Sequence, residues 1–143
     1  MLKLRHIGIV VRNLEKSKEF YQNLFDLEVV NQVIEEGEYV EKLVGIKDAS
    51  IHWVKLKAKD GTVLELLEYK NSPYTIKDDY PANRIGCSHI AISVQDIESI
   101  YNKLQNYGCT CNSNPLYSPD GKVRVMYCHD IDGTILEIVE ELV

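Results

Sequence analysis

His6-Ile7-Gly8-Ile9-Val10-Val11 returns 83 residues later as His89-Ile90-Ala91-Ile92-Ser93-Val94. Internal repeats decide a fold before any single element does, and this one extends outward. Asn13-Leu14-Glu15 matches Asp96-Ile97-Glu98 at the same offset. Further on, Gly61-Thr62-Val63-Leu64-Glu65-Leu66-Leu67-Glu68 matches Gly133-Thr134-Ile135-Leu136-Glu137-Ile138-Val139-Glu140 at an offset of 72. The first half therefore carries 11 more residues between these landmarks, placed at Gly37 to Asp48.

Each half reads as β-α-β-β-β. The first strand, Leu4 to Val11, sets Ile7, Ile9 and Val11 on one face at period 2. Asn13 is an N-cap, and Leu14, Ser17, Tyr21, Leu24 and Phe25 form the stripe of the following helix. In the second half Ile90, Ile92 and Val94 line the strand, Asp96 caps, and Ile97, Ile100, Tyr101 and Leu104 form the stripe. Gly108 is the C′ stop. Three strands follow each helix: Glu28–Ile34, Ile51–Leu56 and Thr62–Tyr69, then Thr110–Asn112, Val123–Cys128 and Thr134–Val139. Asp60-Gly61 and Asp132-Gly133 mark the turn before each last strand. The expected organisation is a first module over 1–70, a linker over 71–82 and a second module over 83–143, together one structural domain.

Composition narrows the function. The 143 residues carry 16 Lys and Arg against 22 Asp and Glu, a net charge of −6, with no basic run. A nucleic-acid partner is not expected. The longest apolar runs are far short of the roughly 20 residues that span a bilayer, and no leader pattern opens the chain, so a cytoplasmic protein without a membrane partner is expected. Cys87, Cys109, Cys111 and Cys128 form no C-x-x-C pair and read as reduced, mostly buried thiols.

The repeat sets His6 opposite His89 and Glu65 opposite Glu137, all four inside expected strands. Each histidine faces away from its aliphatic strand face, beside small residues: Gly8 in one half, Ala91 and Ser93 in the other. Each glutamate interrupts an apolar run, where burying a carboxylate is costly unless it is paired or binds a metal. A lone strand histidine is usually structural and a lone strand glutamate usually solvated. Two of each at equivalent positions point to a site for one divalent ion among Zn, Ni, Co, Mn and Fe(II).

These segments resemble the vicinal oxygen chelate superfamily, which includes glyoxalase I, methylmalonyl-CoA epimerase, extradiol dioxygenases and the fosfomycin and bleomycin resistance proteins. The carriers are His6-Ile-Gly-Ile-Val-Val, Thr62-Val-Leu-Glu65-Leu-Leu, Ser88-His89-Ile-Ala-Ile-Ser-Val and Asp132-Gly-Thr-Ile-Leu-Glu137-Ile. The resemblance implies an α+β fold of two tandem β-α-β-β-β modules forming a cupped, incomplete mixed-sheet barrel. It implies His6, Glu65, His89 and Glu137 as ligands of one divalent metal ion, Zn, Ni, Co or Mn ahead of Fe(II). It implies a small-molecule substrate, a homodimer, and proton transfer next to a carbonyl through a metal-bound enediolate or enolate, with Glu137 or Glu65 as the base. Whether the four ligands come from one chain or two stays open. Extradiol dioxygenases have no carboxylate ligand where Glu65 stands, which favours a lyase or epimerase. The alternatives are an Fe(II) ring-cleaving dioxygenase and a non-catalytic small-molecule-binding resistance protein. Bacterial-type glyoxalase I commonly has an Arg and an Asn for glutathione where this chain has Val10 and Tyr69.

Other candidates are weaker. Glu38 or Glu41 in the extra segment offers a second base, from a loop or short helix over the site. In His52-Trp53 one side chain faces the site and the other faces away, Trp53 being the core candidate. His129 reads as surface, and Arg124 and Tyr127 could meet a substrate anion with their orientation open.

Overall fold

The computed structural model describes residues 1–72 and 81–142. The chain divides into two compact units, Met1–Thr75 and Ile76–Val143. Most of the expected linker, residues 73–80, lies outside the described residues.

The first unit runs β1 (Ile7–Val10), α1 (Leu14–Phe25), β2 (Glu28–Glu36), α2 (Glu38–Val44), β3 (Ser50–Lys57) and β4 (Val63–Tyr69). Its four strands form an open mixed sheet in the order β1-β4-β3-β2. β1 and β4 are parallel, and the remaining neighbours antiparallel. The Asn13 side chain accepts from the Lys16 amide at 2.9 Å and starts α1. The Leu14 amide donates to the Glu68 carboxylate at 2.6 Å, which ties the positive helix start to β4. α1 buries Leu14, Ser17, Phe20, Tyr21 and Leu24 against Ile9, Val54, Leu56 and Leu66. The stripe thus takes in Phe20, fully buried, while Phe25 is only half-buried. Ile7, expected on the same face as Ile9, is 40% exposed at the start of its strand.

The 11 extra residues hold α2, which ends in the left-handed turn at Gly45. Val40 packs with Ala49, Ile51 and Trp53, and Val33, Leu67 and Tyr69 border them. Ile51 and Trp53 pair across to Tyr69 and Leu67. By alternation they share the sheet face of Glu65, so α2 covers part of that face.

The second unit runs β5 (His89–Val94), α3 (Ile97–Asn106), β6 (Leu116–Tyr117), β7 (Val123–His129) and β8 (Ile135–Glu141), ordered β5-β8-β7-β6 with β5 and β8 parallel. Asp96 caps α3 by accepting from the Ser99 amide at 3.0 Å, and Gly108 follows the helix at φ +72°. Ile97, Ile100 and Leu104 pack into the core with Met126, Leu136 and Ile138. Both units are α+β modules with four-stranded open sheets.

The expected strand at Thr110–Asn112 is replaced by a single bridge between Cys111 and Cys128, and the short strand falls at Leu116–Tyr117. Asn112-Ser113-Asn114-Pro115 explains the shift, because turn-forming residues and a proline without an N–H stop a ladder. The Asn112 amide donates to the Tyr127 carbonyl and the His129 amide to the Thr110 carbonyl, both at 2.9 Å. These bonds flank Cys111 and Cys128, making them a non-hydrogen-bonded pair. Such pairs have Cα atoms about 4.5 Å apart, inside the range a disulfide spans. All four cysteines are free. Burial pushes the Cys109 thiol up to about 11 and also raises Cys128 and Cys111, so these thiols stay protonated at neutral pH. Diamide is expected to join Cys111 to Cys128 slowly, read as the loss of two titratable thiols and a cross-linked peptide in non-reducing mass mapping. An unchanged cross-link in Cys111→Ser would contradict this pairing.

Candidate metal centre

His6 stands one residue before β1 rather than inside a strand. His89 is the first residue of β5. Glu65 and Glu137 sit mid-strand, in β4 and β8. In the first unit His6 Nε2 lies 2.8 Å from Glu65 Oε2, with side chains 29% and 12% exposed. In the second, His89 Nε2 lies 3.0 Å from Glu137 Oε2, with side chains 43% and 26% exposed. The equivalence of positions becomes an equivalence of contacts.

The residues beside the two glutamates are small, Gly8 next to Glu65 and Ala91 next to Glu137. Gly8 is the register partner of Glu65, and a β-carbon there would stand 3.9 Å from Glu65 Oε2 and 3.4 Å from Leu67 Cδ1. Across the sheet, Lys55 is the partner of Glu65 and Tyr127 the partner of Glu137. These two residues are themselves 72 positions apart, the same offset that relates the glutamates. Sequence reasoning passed over Lys55, although that offset combined with strand alternation marks it.

Tyr127 has its ring 5.2 Å from the His89 ring and its hydroxyl oxygen 3.4 Å from His89 Nε2. Burial first, then the charge of Glu137 and a hydrogen bond to it, raise the phenol above the usual tyrosine range. Its hydroxyl is therefore a proton donor at neutral pH. Lys55 takes a different path. Its ammonium sits 4.7 Å from the Trp53 ring centroid.

Arg124 differs in parity from Tyr127 and lies on the helix side of β7. It pairs with Glu98 on α3 and with Glu140 at 3.7 Å, so the orientation the sequence left open is away from the Glu137 face. His52 lies on the α1 side of β3, its Nε2 2.9 Å from Gln32 Nε2, and Trp53 is the member of that pair on the Glu65 face. Glu38 pairs with Lys42, and Glu41 accepts from the Asp48 amide at 3.0 Å. Both carboxylates are thus engaged within α2 and the turn after it. His129 Nδ1 is 3.4 Å from the Thr110 carbonyl oxygen.

The donor chemistry fits a borderline divalent ion, which takes imidazole nitrogen and carboxylate oxygen together. The spacing fits as well. Such donors bond at about 2.0–2.2 Å, so two at a right angle stand about 3 Å apart. Glu65 is buried, and among the described residues its one polar partner is His6. Each pair supplies two donors, and among the described residues no three of His, Cys, Asp and Glu gather into one cluster.

Two β-α-β-β-β modules, each setting a histidine beside a glutamate on an open mixed sheet, define the glyoxalase type of fold. The chain belongs to the Glyoxalase/Bleomycin resistance protein/Dioxygenase superfamily, which matches residues 3–138. A crystal structure of a glyoxalase-family protein from Bacillus cereus is similar with a TM-score of 0.90 at 21% identity, covering 100% of this chain and 96% of that one. The fosfomycin resistance protein FosX from Listeria monocytogenes, complexed with Mn(II) and sulfate, is similar with a TM-score of 0.62 at 16% identity, covering 100% and 95%. At these identities the likeness is one of fold. A lactoylglutathione lyase of Schizosaccharomyces pombe is 30% identical over 97% of this chain, which spans 47% of that relative's length. A lactoylglutathione lyase of Neisseria meningitidis is 25% identical, covering 98% of this chain and 91% of the relative. Among the described residues no helix is long and apolar enough to cross a membrane.

Proposed function

We propose that this chain is a divalent-metal-dependent enzyme of the lactoylglutathione lyase or epimerase kind, moving a proton at a carbon next to a carbonyl of a small molecule and working as a homodimer. The observation that carries this reading is the pair of equivalent His Nε2–Glu Oε2 contacts at 2.8 and 3.0 Å. His6, Glu65, His89 and Glu137, from one chain or from two, would hold the ion. Bound there, it supplies Lewis-acid polarisation of a carbonyl oxygen.

The two glutamates have unequal surroundings. Glu65 is the more enclosed, at 12% side-chain exposure against 26% for Glu137, and suits a fixed ligand. Glu137 is the base that takes the proton from the substrate carbon, since substrate reaches it more easily. Its cross-strand neighbour Tyr127 sets its hydroxyl 3.4 Å from His89 Nε2 and so helps hold the imidazole that contacts the Glu137 carboxylate. Glu65, in a slot where dioxygenase relatives carry no carboxylate ligand, favours a lyase or epimerase over oxygen chemistry. Val10 is half exposed and Tyr69 borders the α2 packing. Neither offers the charge or amide that bacterial-type relatives use for glutathione, so the thiol carrier differs from glutathione or is held elsewhere.

The test is solvent-deuterium exchange into the α-carbon, followed by NMR on metal-loaded protein. The substrates are the hemithioacetal of methylglyoxal with glutathione and an α-branched acyl-CoA ester. Exchange that needs the metal and is lost in Glu137→Gln is the expected result. Oxygen consumption with Fe(II) and a catechol, without exchange, would overturn the reading.

A further inference from the structure

We propose that Lys55 forms an oxyanion subsite beside the His6–Glu65 pair, taking a carboxylate or phosphoryl group of the substrate. The inference deepens the metal-enzyme reading by naming a substrate class, a small molecule with an anionic group, and it rests on that reading only for the word substrate.

Lys55 is the direct cross-strand partner of Glu65, and opposite charges so placed normally pair. Here they do not. The Glu65 carboxylate turns to His6 at 2.8 Å, and the Lys55 ammonium lies over Trp53. Among the described residues no carboxylate pairs with Lys55, although it is half-buried. A cation placed this way keeps part of its desolvation cost, which the indole face offsets only in part. An incoming anion removes the remainder.

The surroundings suit an anion. A cleft of about 770 Å³ opens beside Lys55, and His6, Lys3, Arg5, Thr62 and Val63 also line it. Three cations on one cleft stand out in a chain of net charge −6. Asp60 lines the cleft too, and its carboxylate, which accepts from the Thr62 amide and hydroxyl at 2.8 and 3.0 Å, sets one anion against those three cations. Its pKa is lowered by those same two bonds. The repeat sharpens the contrast. At the equivalent position the second unit has Tyr127, the register partner of Glu137, which carries no positive charge and sets its hydroxyl 3.4 Å from His89 Nε2. The two positions divide the work: Tyr127 packs against His89, and Lys55, released from Glu65, meets the ligand.

Calorimetric titration of the untagged full-length protein tests this, with inorganic phosphate and acetate as probes, in chelator-treated and metal-loaded forms. In the chelated protein Lys55→Met is expected to weaken the better-bound probe by about tenfold or more, the loss typical of a charge-assisted bond. Lys55→Arg is expected to retain most of the affinity. Thermal unfolding followed by Trp53 fluorescence should not fall below wild type in either variant, and metal content should stay at the wild-type value. Phosphate and acetate bound alike by wild type and Lys55→Met, or by neither, would overturn the subsite while leaving the metal reading intact. Lys55-dependent binding in a protein that takes up no metal would sustain the subsite and remove the metal reading.

Discussion

Glu65→Gln is expected to lower divalent-metal affinity by on the order of 100-fold or more, since even supporting groups around a metal cost 10–100-fold when removed. The change keeps the shape of the side chain and removes its charge. Glu65 sits in a mostly apolar strand with His6 2.8 Å away, and Gln still offers an oxygen there. The fold should therefore survive, with thermal unfolding of the metal-free protein close to wild type. What is lost is one of the two anionic donors, and with it a unit of the charge that attracts the ion. Proton exchange at subsaturating metal should fall in parallel and recover partly at high metal. In Glu137→Gln added metal should not restore exchange, because the base itself is gone. Equilibrium dialysis with Zn, Ni, Co and Mn, together with exchange rates against metal concentration, separates the two outcomes. Unchanged metal affinity in Glu65→Gln would contradict the role given to this residue.

The largest effect on stability is expected from Phe20→Ala, about 3–5 kcal/mol by analogy with other buried aromatic truncations. Phe20 is fully buried on α1, and its ring meets Tyr21 edge-on at 5.2 Å between centroids. Removing it leaves a cavity against Val54, Leu56 and Leu66, all fully buried strand residues. Such aromatic pairs contribute about 0.5–1.5 kcal/mol beyond area burial. Against a total stability of about 5–15 kcal/mol, much of the reserve of this unit disappears. Trp53 is the only tryptophan and is packed within the same unit, so its fluorescence in a urea titration reports the shift directly. Leu43→Ala is the control. Leu43 is 63% exposed, and its loss should change stability by no more than about 0.5 kcal/mol. Equal midpoints for the two variants would contradict the packing described for α1.

Phe20 also shows where sequence reading ran short. A period of 3.6 marks a stripe but not its width, and the helix presses on the sheet broadly enough to bury Phe20 and Tyr21 together. The repeat was far more legible. His and Glu recur at offsets that strand alternation turns into contacts, so both pairs follow from residue spacing once the parallel register of first and last strands is known. Parity alone separates Arg124 from Tyr127, since residues three apart on a strand face opposite sides. Which of the two met the glutamate depended on the β7–β8 register, which sequence does not state. Lys55 was hidden for a further reason. A lysine opposite a glutamate reads as an ordinary ion pair, and only in the folded chain does Glu65 turn to His6 instead. The short strand moved because one bridge at Cys111 cannot continue through Asn-Ser-Asn-Pro.

His6, Glu65, His89 and Glu137 are proposed to hold a single divalent ion, from one chain or from two. Elemental analysis by mass spectrometry tests it most directly, on untagged protein purified without chelator, for wild type and for Glu65→Gln, Glu137→Gln, His6→Ala and His89→Ala. About one equivalent of Ni, Co, Zn or Mn per chain is expected in wild type, with every variant depleted, whichever unit it alters. Wild type without metal even after reconstitution, or variants of one unit retaining the wild-type content, would contradict it.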